Sequence, residues 1–161
     1  MNQLQLSPVQ KIRSQAGSAA GYRRTIGLQS AAGLLVFVPI SLYQLGVIRH
    51  IPDLRGKLFD SDYVNASKEA QIAGLPDGPV SLLMYAANVL LAAGAIKKKK
   101  RSLFDYLIAG NAIGQAAGGA YYLYNMATVQ KKVCLYCVTG AMINFATLVP
   151  LYKLFSRRKN N

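Results

Sequence analysis

The chain has 161 residues, 52% of them hydrophobic, and a formal net charge of +13. That is one domain's worth of protein, and two cysteines and one histidine leave no material for a metal cluster or a bis-histidine haem. A charge this high in a soluble protein points to nucleic acid, but its placement along this chain speaks for a membrane instead.

The apolar residues gather into four stretches without a charged side chain, at residues 25–48, 78–96, 106–130 and 133–152. Each is near or above the roughly 18–20 residues that a helix needs to cross the hydrocarbon core. The expected fold is therefore an all-α integral membrane protein, a four-transmembrane-helix bundle with a long extracytoplasmic loop that carries a short interfacial helix. The expected organisation is a basic tail over residues 1–24, a four-helix membrane domain over 25–155 and a second basic tail over 156–161. The first 24 residues are polar and basic, and the apolar run after them is too long for a signal-peptide core, so the first span reads as a signal anchor.

In chain order, the first span contains Pro39, which kinks a helix or is accommodated by its neighbours. The loop that follows, about thirty residues long, is a candidate functional element. Within it, residues 65–73 (NASKEAQIA) read as an amphipathic helix capped by Asn65 and stopped by Gly74 and Pro76. Phe59, Tyr63, Val64, Ile72 and Leu75 would dip into the interface or lid the bundle. Asn65-Ala66-Ser67 also matches a glycosylation sequon, which one triplet supports weakly.

The third span carries Gly110, Gly114 and Gly118, a spacing that lets helix backbones approach, within the bundle or in a homo-oligomer. Asn111, Gln115 and Asn125 in that span, and Asn144 in the next, are expected to find hydrogen-bond partners inside the bundle. Tyr121, Tyr122, Tyr124 and Tyr136 fit an interfacial aromatic belt. Together they also make an aromatic-walled pocket near Cys137 plausible.

Thirteen of the nineteen basic residues lie before the first span, between the second and third, and after the fourth. Five of the six acidic residues fall instead in residues 49–77. The positive-inside rule then puts both termini in the cytoplasm, of a bacterial inner membrane on this reading. The only two cysteines, Cys134 and Cys137, face the opposite, oxidising side, where disulfides persist.

Two thiols three apart at a helix start form a redox spacing, and the helix N-terminus with Lys131 and Lys132 just before it favours a thiolate. A dithiol at the edge of the lipid suits a lipid-soluble oxidant such as a quinone. By its place in the helix, Cys134 reads as the more exposed sulfur, suited to exchange with a partner, and Cys137 as the deeper one, facing the quinone as its thiolate. The plain alternative is two small apolar residues in a helix. A phosphate-binding glycine loop is absent, and the uncharged spans weigh against an ion-coupled transporter or channel subunit.

The segments 60–67 (DSDYVNAS), 74–76 (GLP) leading to 81–85 (SLLMY), and 134–144 (CLYCVTGAMIN) stand in an order that resembles the vitamin K epoxide reductase family over roughly residues 25–152. The resemblance implies a membrane thiol:quinone oxidoreductase, with Cys134 and Cys137 as the catalytic dithiol. It further implies a menaquinone, ubiquinone or phylloquinone type of quinone, contacted by Asp77, Tyr85, Tyr136 and Asn144, and a thioredoxin-like extracytoplasmic redox partner. The family's loop carries a second cysteine pair; this chain has neither cysteine and shows Ser61 where one would stand. Ala141 takes a position where the family often has tyrosine. Those departures keep open a non-catalytic member that uses the fold for interaction or as a scaffold.

Overall fold

The computed structural model describes residues 18–54, 56–98 and 100–156, so most of both expected tails lies outside the described residues. Helix α1 (Ala19–Gln44) starts earlier than the apolar run. Ser18 caps it, its side chain accepting a hydrogen bond from the Gly21 N–H at 3.1 Å. The helix can run through basic sequence because Arg23 finds a buried partner. Its guanidinium donates to both carboxylate oxygens of Asp105 at 2.7 Å and to the carbonyls of Ala95, Lys98 and Lys100. This clamp ties α1 to the C-terminal end of one helix and the N-terminal end of the next.

The loop helix differs from expectation. Helix α2 covers Ser61–Ala66 and is capped by Asp60, which accepts from the Tyr63 N–H at 3.0 Å. Asn65 therefore lies inside the helix and does not cap one at 65–73. A single 3-10 turn, Lys68–Ala70, follows. Strands β1 (Gln71–Ile72) and β2 (Leu75–Pro76) then pair antiparallel. Ala73 and Gly74 turn between them with positive φ, 52° and 81°, the backbone a two-residue hairpin demands. The stop read from Gly74 and Pro76 is thus the turn and second strand of a hairpin.

Helix α3 (Asp77–Ala95) leaves the hairpin directly. Helix α4 (Leu103–Asn125) starts at Ser102, whose N–H donates to Asp105 at 2.8 Å. It passes into a π-helical turn, Met126–Gln130, and the chain reverses at Lys131 with φ 53°. Helix α5 (Leu135–Ser156) completes the bundle. By length and composition α1, α3 and α5 can each cross a membrane, with mean hydropathy 1.7, 1.5 and 1.4. Glycines, amides and tyrosines dilute α4, which is the fourth long helix.

Helix α1 packs on α3 and α5, and α4 packs on the same two. The apolar core has two parts. One gathers Phe37, Ile40, Ile51, Val64, Tyr85, Met126 and Cys134; the other gathers Ile26, Ala92, Ile108, Ala112 and Leu151. Amides join α3, α4 and α5. Asn111 donates to Asn88 at 2.9 Å and to the Met84 carbonyl at 2.7 Å. Asn144 donates to the Gln115 carbonyl at 3.0 Å. Helix α4 approaches α5 closely at Gly119, where a Cβ would lie 3.2 Å from the Ala141 Cα. The predicted stripe does not make this contact: a Cβ on Gly110 or Gly118 would meet nothing within 4 Å.

Candidate functional site

The loop is stapled to the segment just before the cysteines. Phe59 and Val133 form an isolated parallel bridge, with Val133 N–H donating to Leu58 at 2.9 Å and Asp60 N–H to Val133 at 3.2 Å. Lys132 braces the bridge, its ammonium 2.8 Å from the Lys57 carbonyl and 3.7 Å from Asp60. Its charge therefore serves the loop, a different task from the thiolate support that its sequence position suggests. Asp62 accepts from the Ile51 N–H at 2.8 Å and Asp53 from the Ser61 N–H at 2.6 Å. These contacts seat α2 over the N-terminal end of α5.

Cys134 and Cys137 form a disulfide across that end, with Cα atoms 5.2 Å apart. Their exposure reverses the sequence expectation. Cys134 is 0% exposed, whereas Cys137 is half-buried and lines a cavity. Position in the helix alone puts Cys134 nearer the surface, but α2 covers it. Asn65, itself buried, reaches between the sulfurs: its Nδ2 donates to Cys134 Sγ at 3.3 Å and to the Ser61 carbonyl at 2.8 Å, while its Oδ1 lies 3.6 Å from Cys137 Sγ. With its amide so engaged, Asn65 is closed to glycosylation in the folded chain. The Ser61 hydroxyl is buried beside it without a hydrogen-bond partner.

The cavity is narrow, about 50 Å³, and open at its mouth. It unites residues from α1, α3, α4 and α5 with Ile72 of the hairpin. Phe37, Tyr85 and Tyr122 give aromatic walls. Tyr85 OH donates to Asn144 Oδ1 at 2.6 Å. Asp77 accepts from Gln44 Nε2 at 2.6 Å and is hydrogen-bonded to Tyr122. Gln44 in turn accepts from the Gly78 N–H at 2.8 Å and donates to the Asn65 carbonyl at 3.1 Å. The end of α1, the loop and the start of α3 thus share one side chain.

Of the residues singled out in the sequence, the structure brings Cys137, Asp77, Tyr85 and Asn144 together around this cavity. Tyr136 stands elsewhere, half-buried against the apolar cluster that contains Cys134. Tyr121 and Tyr124 are exposed, while Tyr122 turns inward. Asn111 and Asn144 find partners within the bundle, as expected for buried amides; the Asn125 Nδ2 has none. Gln44 and Gln115 gain weight that the sequence reading did not give them. Gln115 lines the cavity at 7% exposure. Its Oε1 accepts from Asn88 at 3.4 Å, and its Nε2 is buried without an acceptor. A polar residue at the end of a span was the visible signal for Gln44. A flat ring suits this lining, since its walls are aromatic and amides stand beside them. No cluster of three or more metal-ligating side chains occurs among the described residues.

Residues 24–151 match the model of the vitamin K epoxide reductase family. That family consists in general of membrane oxidoreductases associated with thiols and quinones. No curated protein sequence matches the chain significantly.

Proposed function

The chain belongs to the vitamin K epoxide reductase family, and from that premise we propose that it is a membrane thiol:quinone oxidoreductase using Cys134 and Cys137. The observation that carries the proposal is Cys137, half-buried and opening on the one side of the disulfide that meets an aromatic, amide-bearing cavity. A bound quinone supplies an acceptor for two electrons and two protons. The side chains do the rest. As a dithiol, Cys134 and Cys137 give up two electrons and two protons and close as the disulfide. Phe37, Tyr85 and Tyr122 wall the ring. Asn144 and Asp77 hold Tyr85 and Tyr122 in place.

All four long helices span the membrane in this reading, α4 included, because Asn111 and the Gln115 Oε1 find partners on α3. Both termini then lie in the cytoplasm with most of the basic residues, and the cysteines lie at the outer face. Thiol oxidation coupled to quinone reduction is the direction proposed, in a bacterial inner membrane. The loop offers no second thiol pair, since the chain has two cysteines in all. Electrons therefore come from a thioredoxin-like extracytoplasmic protein, which must lift α2 to touch Cys134 or enter through the cavity to Cys137.

The test is quinone-dependent oxidation of the dithiol in detergent-solubilised protein, with thiols followed by maleimide gel shift and quinone by ultraviolet absorbance. Stoichiometric thiol loss with quinone reduction is expected, and Cys134→Ala and Cys137→Ala should each abolish turnover. A second reading draws on the sealed Cys134 and the missing loop thiols: a family fold retained for interaction or scaffolding. Thiols that stay reduced with menaquinone, ubiquinone and phylloquinone analogues alike would establish it.

A further inference from the structure

The end of the bundle away from the cysteines carries a cationic surface that the thiol chemistry leaves unused. Its sequence core is the run KKKKR at residues 97–101, in the connection from α3 to α4. A block of like charges is ordinarily a solvated, unstructured stretch. Here the backbone is held. Buried Arg23 donates to the carbonyls of Ala95 at 2.8 Å, Lys98 at 2.6 Å and Lys100 at 3.2 Å. Arg101 is fixed to α5, donating to the Phe155 carbonyl with its guanidinium 4.6 Å over the Phe155 ring. Asp105, the one acidic residue at this end, is taken by Arg23; the other five all lie in residues 49–77.

The remaining cations are exposed: Lys97, Lys98 and Lys100 in the connection, Arg24 on α1 and Lys153 on α5. None of them has an ion-pair partner among the described residues. Flanking the run, Ile96, Leu103, Phe104 and Leu107 expose apolar side chains. We propose that this end of the bundle is a binding site for an anionic phospholipid. Lys97, Lys98, Lys100 and Arg24 take its phosphate, and its acyl chains lie along Ile96, Leu103 and Leu107. A soluble polyanion would match the charge but leave the apolar side chains bare, whereas a phospholipid answers both. Lysine stems lie along apolar surface while their ammonium groups reach the phosphate level. Because the connection is already ordered by Arg23, closing on a headgroup costs little further backbone freedom. The positive-inside rule requires only a count of basic residues on one side; a backbone fixed in this way requires more, saturable binding at one place.

Such a site presupposes that the helices span the membrane, and it is independent of the thiol chemistry. The full chain in neutral detergent is titrated with palmitoyl-oleoyl phosphatidylglycerol, with phosphatidylcholine of the same chains, and with inorganic phosphate. Binding is read as the rise in melting temperature. Phosphatidylglycerol should raise the midpoint saturably and the other two should not. Each cation removed at a membrane surface weakens anionic lipid about fivefold, so Lys97→Gln/Lys98→Gln/Lys100→Gln should bind about a hundredfold more weakly. Arg49→Gln/Lys68→Gln/Lys131→Gln removes the same charge from exposed residues at the cysteine end and should stay within about twofold of the parent. Without lipid both variants should melt with the parent, since none of the six side chains bonds another described residue. Equal weakening in the two variants would reduce the effect to net charge and overturn the site, as would a lysine variant that binds like the parent. A shift by phosphatidylcholine or inorganic phosphate equal to that by phosphatidylglycerol would overturn the anionic-lipid assignment. A chain that fails to insert into vesicles of either lipid would refute the membrane-spanning reading itself, a separate outcome.

Discussion

The Arg23–Asp105 pair lies at the opposite end of the bundle from the cysteines, and replacing Arg23 with Met should be the costliest single change there. Both side chains are 0% exposed, the contact is bidentate at 2.7 Å, and the same guanidinium satisfies carbonyls at the end of α3 and beyond. Removing one partner of a buried ion pair strands the other and costs about 3–5 kcal/mol. For a chain of this size each kcal/mol lowers the melting temperature by about 2–4 °C, so Arg23→Met should melt roughly 6–20 °C lower. Asp105→Asn should cost less, since the Arg23 donors keep their three carbonyls. The double variant Arg23→Met/Asp105→Leu should recover part of the loss, because an apolar pair of similar volume often matches a buried ion pair. Melting in detergent of the parent, Arg23→Met, Asp105→Leu and the double variant, followed by tyrosine fluorescence, gives all four corners of the cycle, with the exposed Arg24→Met as reference. An Arg23→Met midpoint equal to that of Arg24→Met, or a double variant as low as the sum of the singles, would refute the assignment of this clamp as a paired, buried charge.

Two further expectations follow from the cavity walls. Leu at Gly119 should destabilise the bundle by more than the 1–3 kcal/mol typical of an overpacked core, because a Cβ alone already reaches 3.2 Å from the Ala141 backbone; Leu at Gly110, where a Cβ meets nothing, should leave the melting temperature unchanged, and equal losses would put the helix contact elsewhere. Tyr85→Phe removes the 2.6 Å bond to Asn144, worth about 0.5–1.5 kcal/mol, and should raise the quinone KM severalfold while a glutathione titration of the cysteines stays put; an unaltered KM would take Tyr85 out of the binding site.

The long helices were legible because hydropathy is a local property: four uncharged runs became four helices, and the glycine and amide content of α4 explains its lower apolarity. What failed was whatever depended on a partner or a cap that hydropathy does not register. The start of α1 at Ala19 rests on Arg23 meeting a residue 82 positions away. The loop helix was displaced because Asp60, an acidic cap one residue before Ser61, begins it earlier. Asn65, read as a cap by its type, is instead drawn inward by a sulfur 69 residues on. Within the bundle the glycine stripe does not make the contact: Gly119, one position past Gly118, approaches α5, while Gly110 and Gly118 face away from the other helices.

The site shows the same division. Cysteine spacing carried the disulfide, since residues three apart at a helix start bring their sulfurs into reach whatever surrounds them. Exposure did not follow from spacing. A helix position predicts depth only along its own axis, and the cover over Cys134 comes from α2, bound through Val133 and Lys132. Tyr136, one residue before Cys137, points about 100° away around the helix, which takes it out of the cavity and into the apolar cluster. Asn144 is seven residues from Cys137, two helical turns, and so returns to the same face and meets Tyr85. Gln44 had no such register to betray it. Its role appears only when the end of α1, the loop carbonyls and Asp77 are seen sharing one amide, which makes it the part of the site that sequence spacing could least reveal.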